Sequence, residues 1–105
     1  MVMQPLRAIH NAIAANRLVW RQHALMRMME RGIKRQDVRN AIQGGEVIEQ
    51  YPKDKPFPSF LIAGRSQDRM LHIVAAYDKG RAMCYIVTTY EPDTEHFEGD
   101  LKTRR

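Results

Sequence analysis

The stretch MLHIVAAYDKGRAMCYIVTTY, residues 70–90, decides the fold. Met70–Tyr77 and Arg81–Tyr90 are two β-rich runs flanking Asp78-Lys79-Gly80, a short hairpin signal in which Gly80 is expected to supply a positive φ. Pro92 closes the second run. Upstream, Ser59–Ala63 forms a short apolar strand, followed by an expected polar loop at Gly64–Arg69. Val47, Ile48 and Tyr51 lie in a further β-rich run that Pro52 ends. The segment Lys53–Pro58 contains Pro56 and Pro58 and is a loop. Four strands joined by short connections pair antiparallel, because parallel strands need long crossovers.

Everything before these strands has helical periodicity. Leu6, Ile9 and Ile13 form one stripe of an amphipathic helix from about Pro5 to Ala15, and Pro5 suits its first turn. A break at Asn16–Val19 leads to a second helix, roughly Arg21–Arg31, with Leu25, Met28 and Met29 on its apolar side. Gly32 is placed to end it in the left-handed conformation, with Ile33 making the hydrophobic contact beyond. A third helix spans about Arg35–Gln43. Asp37 lies in its first turn, Val38, Ala41 and Ile42 form its buried face, and Gly44-Gly45 end it. The expected architecture is α+β: N-terminal helices on one face of a twisted, mainly antiparallel four-stranded sheet.

A chain of 105 residues with 44% hydrophobic and 28% charged side chains is read as one globular domain. Residues 1–17 hold the N-terminal helix, 18–93 the core, and 94–105 an acidic then basic tail. Residues 91–100 carry acids and no Lys or Arg and are expected to be a loop or weak helix; Lys102–Arg105 is expected to fray. A lone cysteine, Cys84, allows neither an intramolecular disulfide nor a thiolate zinc site, and its apolar strand makes it a small core residue. No apolar run is long enough to span a membrane, and Met1–Ile9 lacks a signal-peptide core, so a cytoplasmic location is expected.

Seventeen Lys and Arg stand against twelve Asp and Glu, and the excess lies early. Residues 1–44 hold eight cations, seven of them Arg, and only Glu30 and Asp37 as acids. Guanidinium forks match phosphate geometry, so a polyanion is the expected partner. On the second helix His23, Arg27, Glu30 and Arg31 fall within about a quarter-turn. Arg27 and Arg31, at i,i+4, repel unless something negative lies across them. A phosphate would serve; so would Glu30 alone on a solvated face. His10, His23, His72 and His96 have no metal-ligand spacing, and no Gly-rich phosphate loop occurs, so neither a metal nor another cofactor is expected.

Strand alternation turns His72 away from Leu71 and Ile73, towards the side of Met70 and Val74. Thr88 and Tyr90, two residues apart, share a face. A His, a Tyr and nearby Arg on one face supply what metal-free RNA cleavage needs. A base takes the 2′-hydroxyl proton, an acid protonates the 5′-oxygen, and cations hold the phosphorane charge. Each of these side chains also fits an ordinary structural role at the edge of the core.

The segments His23–Ile33, Asp37-Val38, Gly45–Glu49, Tyr51-Pro52, Pro56–Ser59, Leu71–Val74 and Thr88–Asp93 together resemble a bacterial family catalogued as domain of unknown function 4258. The likeness covers about residues 18–105. The sequence departs from the family in having Arg21-Gln22 where Ser or Thr commonly precedes the motif His, which weakens the helix N-cap. The family looks like a distant relative of the RelE and MqsR toxins. That implies a RelE-like ribonuclease fold and a toxin–antitoxin-type, metal-independent ribonuclease acting on RNA or the ribosome. A zinc-finger antitoxin of the YgiT type is the implied protein partner. By position, His23, His72 and Tyr90 are the candidate catalytic residues, and Arg27, Arg31 and Thr88 the candidate RNA-binding ones. The alternative is a non-catalytic RNA-, ribosome- or partner-binding module on the same fold.

Overall fold

The computed structural model describes residues 5–93 and 101–104. The described elements run in the order α1 (Pro5–Ala14), β1 (Leu18–Trp20), α2 (Gln22–Arg31), α3 (Arg35–Gln43), β2 (Glu46–Tyr51), β3 (Ser59–Ser66), β4 (Arg69–Asp78) and β5 (Met83–Tyr90). The α+β expectation holds, with one strand more than the sequence predicts. The sheet has five strands in the order β1-β5-β4-β3-β2, all antiparallel except β1 with β5.

The additional strand occupies what looked like a break between helices. Leu18 aligns with Cys84 and Trp20 with Ile86, and Cys84 N–H donates to the Arg17 carbonyl at 3.0 Å. A three-residue strand shows no periodicity of its own; it forms because Leu18 and Trp20 pack against the core and β5 offers a free edge. Arg35 and Arg39 place their guanidinium groups 5.8 and 6.0 Å from the Trp20 ring centre, holding β1 to α3 by cation–π contact.

The helices cover one face of the sheet, α3 over β3 and α2 over β5. Period-2 alternation sends Ile62, Leu71, Ile73, Ala75, Cys84 and Ile86 into this layer, where they meet Ile9, Met28, Val38 and Ile42. Complete burial of each Ile removes about 1.5–3 kcal/mol of unfavourable hydration. Burial also pushes the Cys84 thiol up to about 12, as fits an inert core residue. Gly64 and Gly45 let α3 approach closely: a Cβ on Gly64 would stand 1.8 Å from the Ala41 carbonyl oxygen, and one on Gly45 2.5 Å from it. This contact explains why Gly64–Ser66 continues β3 and does not form the expected polar loop. The turn falls later, with Gln67 at φ 56°.

Helix ends follow the sequence. Gly32 takes φ 64° and ψ 32°, Ile33 N–H donates to the Met28 carbonyl at 2.9 Å, and Ile33 is buried. Arg69 adds hydrogen bonds to the Arg31 and Gly32 carbonyls at 3.2 and 2.8 Å. Asp37 accepts the Lys34 N–H at 2.8 Å, which holds its carboxyl below the usual range. Arg21 gives the start of α2 no side-chain cap, as expected. The β4–β5 turn differs: the positive φ falls on Ala82, at 54°, not on Gly80. Asp78 accepts the Gly80 and Arg81 N–H groups and so shapes the turn itself.

The basic tail is a further correction. Leu101–Arg104 does not fray; it lies on the sheet through ion pairs from Lys102 to Glu46 at 2.7 Å and from Arg104 to Glu49 at 2.6 Å. The expectation for the acidic stretch concerns mainly residues 94–100, which lie outside the described residues. Among the described residues no helix is long and apolar enough to cross a membrane.

Candidate functional site

The helix-free face of the sheet carries the candidate chemistry. On β4 alternation places Met70, His72, Val74 and Ala76 there. Antiparallel register sets Tyr90 opposite His72 and Thr88 opposite Val74 on one side, and Ala63 and Leu61 on the other. Irregular pairing between Val47 and Glu49 brings Glu49 opposite Leu61, and Tyr51 pairs with Ser59. His72, Thr88 and Tyr90 therefore share one face, as the sequence predicts. The His72 and Tyr90 rings lie 5.5 Å apart with a 56° tilt.

His72 is not at the edge of the core, where the sequence placed it; it is completely buried. Its Nε2–H donates to the Leu101 carbonyl at 2.6 Å. Burial disfavours the imidazolium and lowers the pKa, although the Leu101 hydrogen bond and the charge of Glu49 work the other way. Glu49 accepts two hydrogen bonds from Arg104, at 2.6 and 3.1 Å, and a short one from the Tyr51 hydroxyl. The Arg104 guanidinium holds the Glu49 carboxyl below the usual range. Burial, with Glu49 beside it, pushes Tyr51 up to about 12, and burial raises Tyr90 as well. The cluster at neutral pH is thus a neutral imidazole, two protonated phenols and a carboxylate–guanidinium pair.

One consequence is a pH dependence of stability. The unfolded chain protonates His72 below its ordinary value of 6.5, whereas the folded protein resists protonation. The stabilisation is complete above about 6.5 and is lost as pH falls through the lowered folded value. The urea midpoint should drop between pH 7.5 and 5, above the range where carboxylates titrate. His72→Gln should flatten that drop; an equal slope in parent and variant would remove His72 as its cause.

Beside the cluster, a groove of about 320 Å³ runs between the start of α2 and the Lys53–Pro58 loop. Arg21, His23, Lys55, Phe57, Val74 and Val87 line it. His23 is exposed, and Val74, which also lines the groove, is the register partner of Thr88. Phe57 stacks on Tyr85 with ring centres 5.5 Å apart, and the Arg21 guanidinium lies 5.2 Å from the Tyr85 ring centre. Asp54, also at this groove, is engaged by a short hydrogen bond from Ser59.

The helical cations divide. Arg31 lines a second recess with Tyr90 and donates to the Thr89 carbonyl at 2.8 Å. Arg27 is on neither recess; it pairs with Glu30 at 3.2 Å, both more than half exposed. The arrangement thus brings His23 to one groove and Arg31 and Tyr90 to the other, with His72 in ring contact with Tyr90; Thr88 lines neither and reaches the first groove only through its register partner Val74. Sequence reasoning missed Arg21, Lys55, Glu49 and Arg104. Tyr51 two residues after Glu49 was the available signal for that pair. The tail contacts and the loop position of Lys55 had none. Among the described residues no group of three or more His, Cys, Asp or Glu is placed to hold a metal ion.

A family model described as "Domain of unknown function (DUF4258)" matches residues 20–91, the span from Trp20 through β5. Comparison with curated proteins and with solved structures gives no match.

Proposed function

The chain belongs to the DUF4258 family, and on that premise we propose that it acts on RNA as a small, metal-independent, toxin-like ribonuclease distantly related to RelE and MqsR. The observation that carries this reading is the groove, which gathers Arg21, His23 and Lys55 on the sheet face that also bears Thr88 and Tyr90. Cations attract the phosphate backbone, and the uncapped start of α2 adds N–H groups and a positive dipole end. Phe57, stacked on Tyr85, lines the groove with an aromatic ring of the kind on which bases stack. His23, exposed at the rim of the groove, is the proton-transfer group of this reading. Arg31 and Tyr90, which line a separate recess, are assigned to stabilising charge on the phosphorane. Arg27 extends the phosphate track, since its exposed pair with Glu30 is worth little and yields to a phosphate. A zinc-finger antitoxin and a cytoplasmic location accompany this reading.

The chemistry makes a defined product. The 2′-hydroxyl oxygen attacks phosphorus, the bond to the 5′-oxygen breaks, and the ends are a 2′,3′-cyclic phosphate and a 5′-hydroxyl. Cleavage of a single-stranded RNA should persist in excess chelator and yield those ends; loss in chelator with rescue by magnesium would refute the mechanism. Four phosphate contacts to a single strand give a log–log salt slope of about −3. Arg21→Ala, Arg27→Ala and Lys55→Ala should each flatten that slope by under about one unit. A salt-independent complex would exclude a phosphate-tracking groove.

One observation favours the second reading, a non-catalytic RNA-, ribosome- or partner-binding module. His72 is fully covered and its Nε2 is engaged by a backbone carbonyl. On that reading the arginine variants weaken binding while the histidine variants change no rate.

A further inference from the structure

We propose that Leu101–Arg104 is a displaceable strap, closing the His72–Tyr90 part of the sheet face until RNA draws it away. The inference rests on the RNA reading of that face and adds its regulation. A sheet face turned away from the helices is ordinarily solvated. Here Leu61 and Ala63 are 1% exposed and His72 is 0% exposed, although among the described residues they lie on the face away from the helical core. The strap contributes to that cover at named points. The Leu101 carbonyl takes the His72 Nε2–H, Lys102 pairs with Glu46, and Arg104 grips Glu49 with two hydrogen bonds. Arg104 also makes a single β-bridge.

The attachment suits release. Lys102 and Glu46 are 42% and 55% exposed, and Arg104 is 49% exposed. Ion pairs this open contribute little and weaken with salt. Both cations of the strap, Lys102 and Arg104, rest on carboxylates. A polyanion entering the neighbouring groove competes for those cations with Glu46 and Glu49, so the ligand loosens its own cover. Moving the strap frees the His72 Nε2–H beside Tyr90 and exposes the Glu49 carboxylate.

Diethylpyrocarbonate labelling of the full chain, read histidine by histidine by mass spectrometry, tests the strap without reference to activity. Exposed His23 is the internal standard. In the parent, His72 should react at least about tenfold more slowly than His23. The double variant Lys102→Glu/Arg104→Glu reverses both ion pairs and should raise the His72 rate about tenfold, leaving His23 unchanged. Adding Glu46→Lys and Glu49→Lys restores the pairs in the opposite sense and should restore protection. Sodium chloride added to the parent should also speed His72 labelling, which keeps the test valid if a variant misfolds. His72 reacting like His23 in the parent, or staying slow in both the reversal variant and high salt, overturns the strap. A single-stranded RNA oligonucleotide separates the two ideas. If the reversal variant and salt expose His72 but the parent neither binds nor cuts RNA, the strap stands as a salt-released cover and the RNA reading fails. If the parent cuts RNA while His72 stays protected with RNA bound, the RNA reading stands and the strap is overturned.

Discussion

Gly64→Ala should be the most damaging single-methyl change in this protein. The added Cβ meets the Ala41 carbonyl oxygen at 1.8 Å and its carbonyl carbon at 2.6 Å, and both are backbone atoms of α3. No rotamer relieves the clash; α3 must lift from β3, opening the layer that holds Val38, Ala41 and Ile42. Overpacking of this kind costs about 3 kcal/mol, the upper end of its usual range. Against a total stability of about 5–15 kcal/mol, that lowers the melting temperature by roughly 12–24 °C. Gly44→Ala is the control, since its Cβ meets nothing within 4 Å. It should melt within about 0.5 kcal/mol of the parent. Equal melting of the two variants would show that α3 does not approach β3 as closely as described.

His23→Ala should give the largest functional effect, a loss of about 10²–10⁴ in the rate of RNA cleavage. His23 is exposed at the rim of the groove, so its removal should leave melting within about 0.5 kcal/mol of the parent. His72→Ala should behave differently. It empties a buried site and leaves the Leu101 carbonyl without its donor, a stability loss of about 2–4 kcal/mol. The sequence places both side chains at the edge of the core; burial of His72 divides the pair. Full ribonuclease activity in His23→Ala would remove His23 from the mechanism and leave the binding module as the better account.

What could be read from the chain depended on the range of the interactions involved. Helix spacing, the Gly32 cap and the facing of His72, Thr88 and Tyr90 depend on contacts a few residues apart or on period-2 alternation, and these are visible in one segment at a time. Three features depend on distant partners. Leu18–Trp20 is a strand only because Cys84–Ile86 lies beside it. Gly64 continues a strand only because Ala41 sits above it. Lys102 and Arg104 are ordered by Glu46 and Glu49, more than fifty residues earlier. The candidate site shows the same division. His23, Arg31, Thr88 and Tyr90 carry residue types that announce themselves, whereas Lys55 joins the groove through a loop whose path no local rule fixes.

The parallel pairing of β1 with β5 also sets the order in which the molecule can assemble. Leu18 meets Cys84, so this contact closes the longest loop in the sheet and is the last entropic step to be compensated. On a ribosome the helices emerge first, presenting Ile9, Ala24 and Met28 with no β5 to cover them. Local hairpins can form as β3 and β4 appear, but α2 has its strand only after Tyr90 has left the exit tunnel. Maturation is therefore a late, nearly all-or-none event. A nascent chain stalled before β5 exposes the apolar side of α2, the kind of surface that favours aggregation.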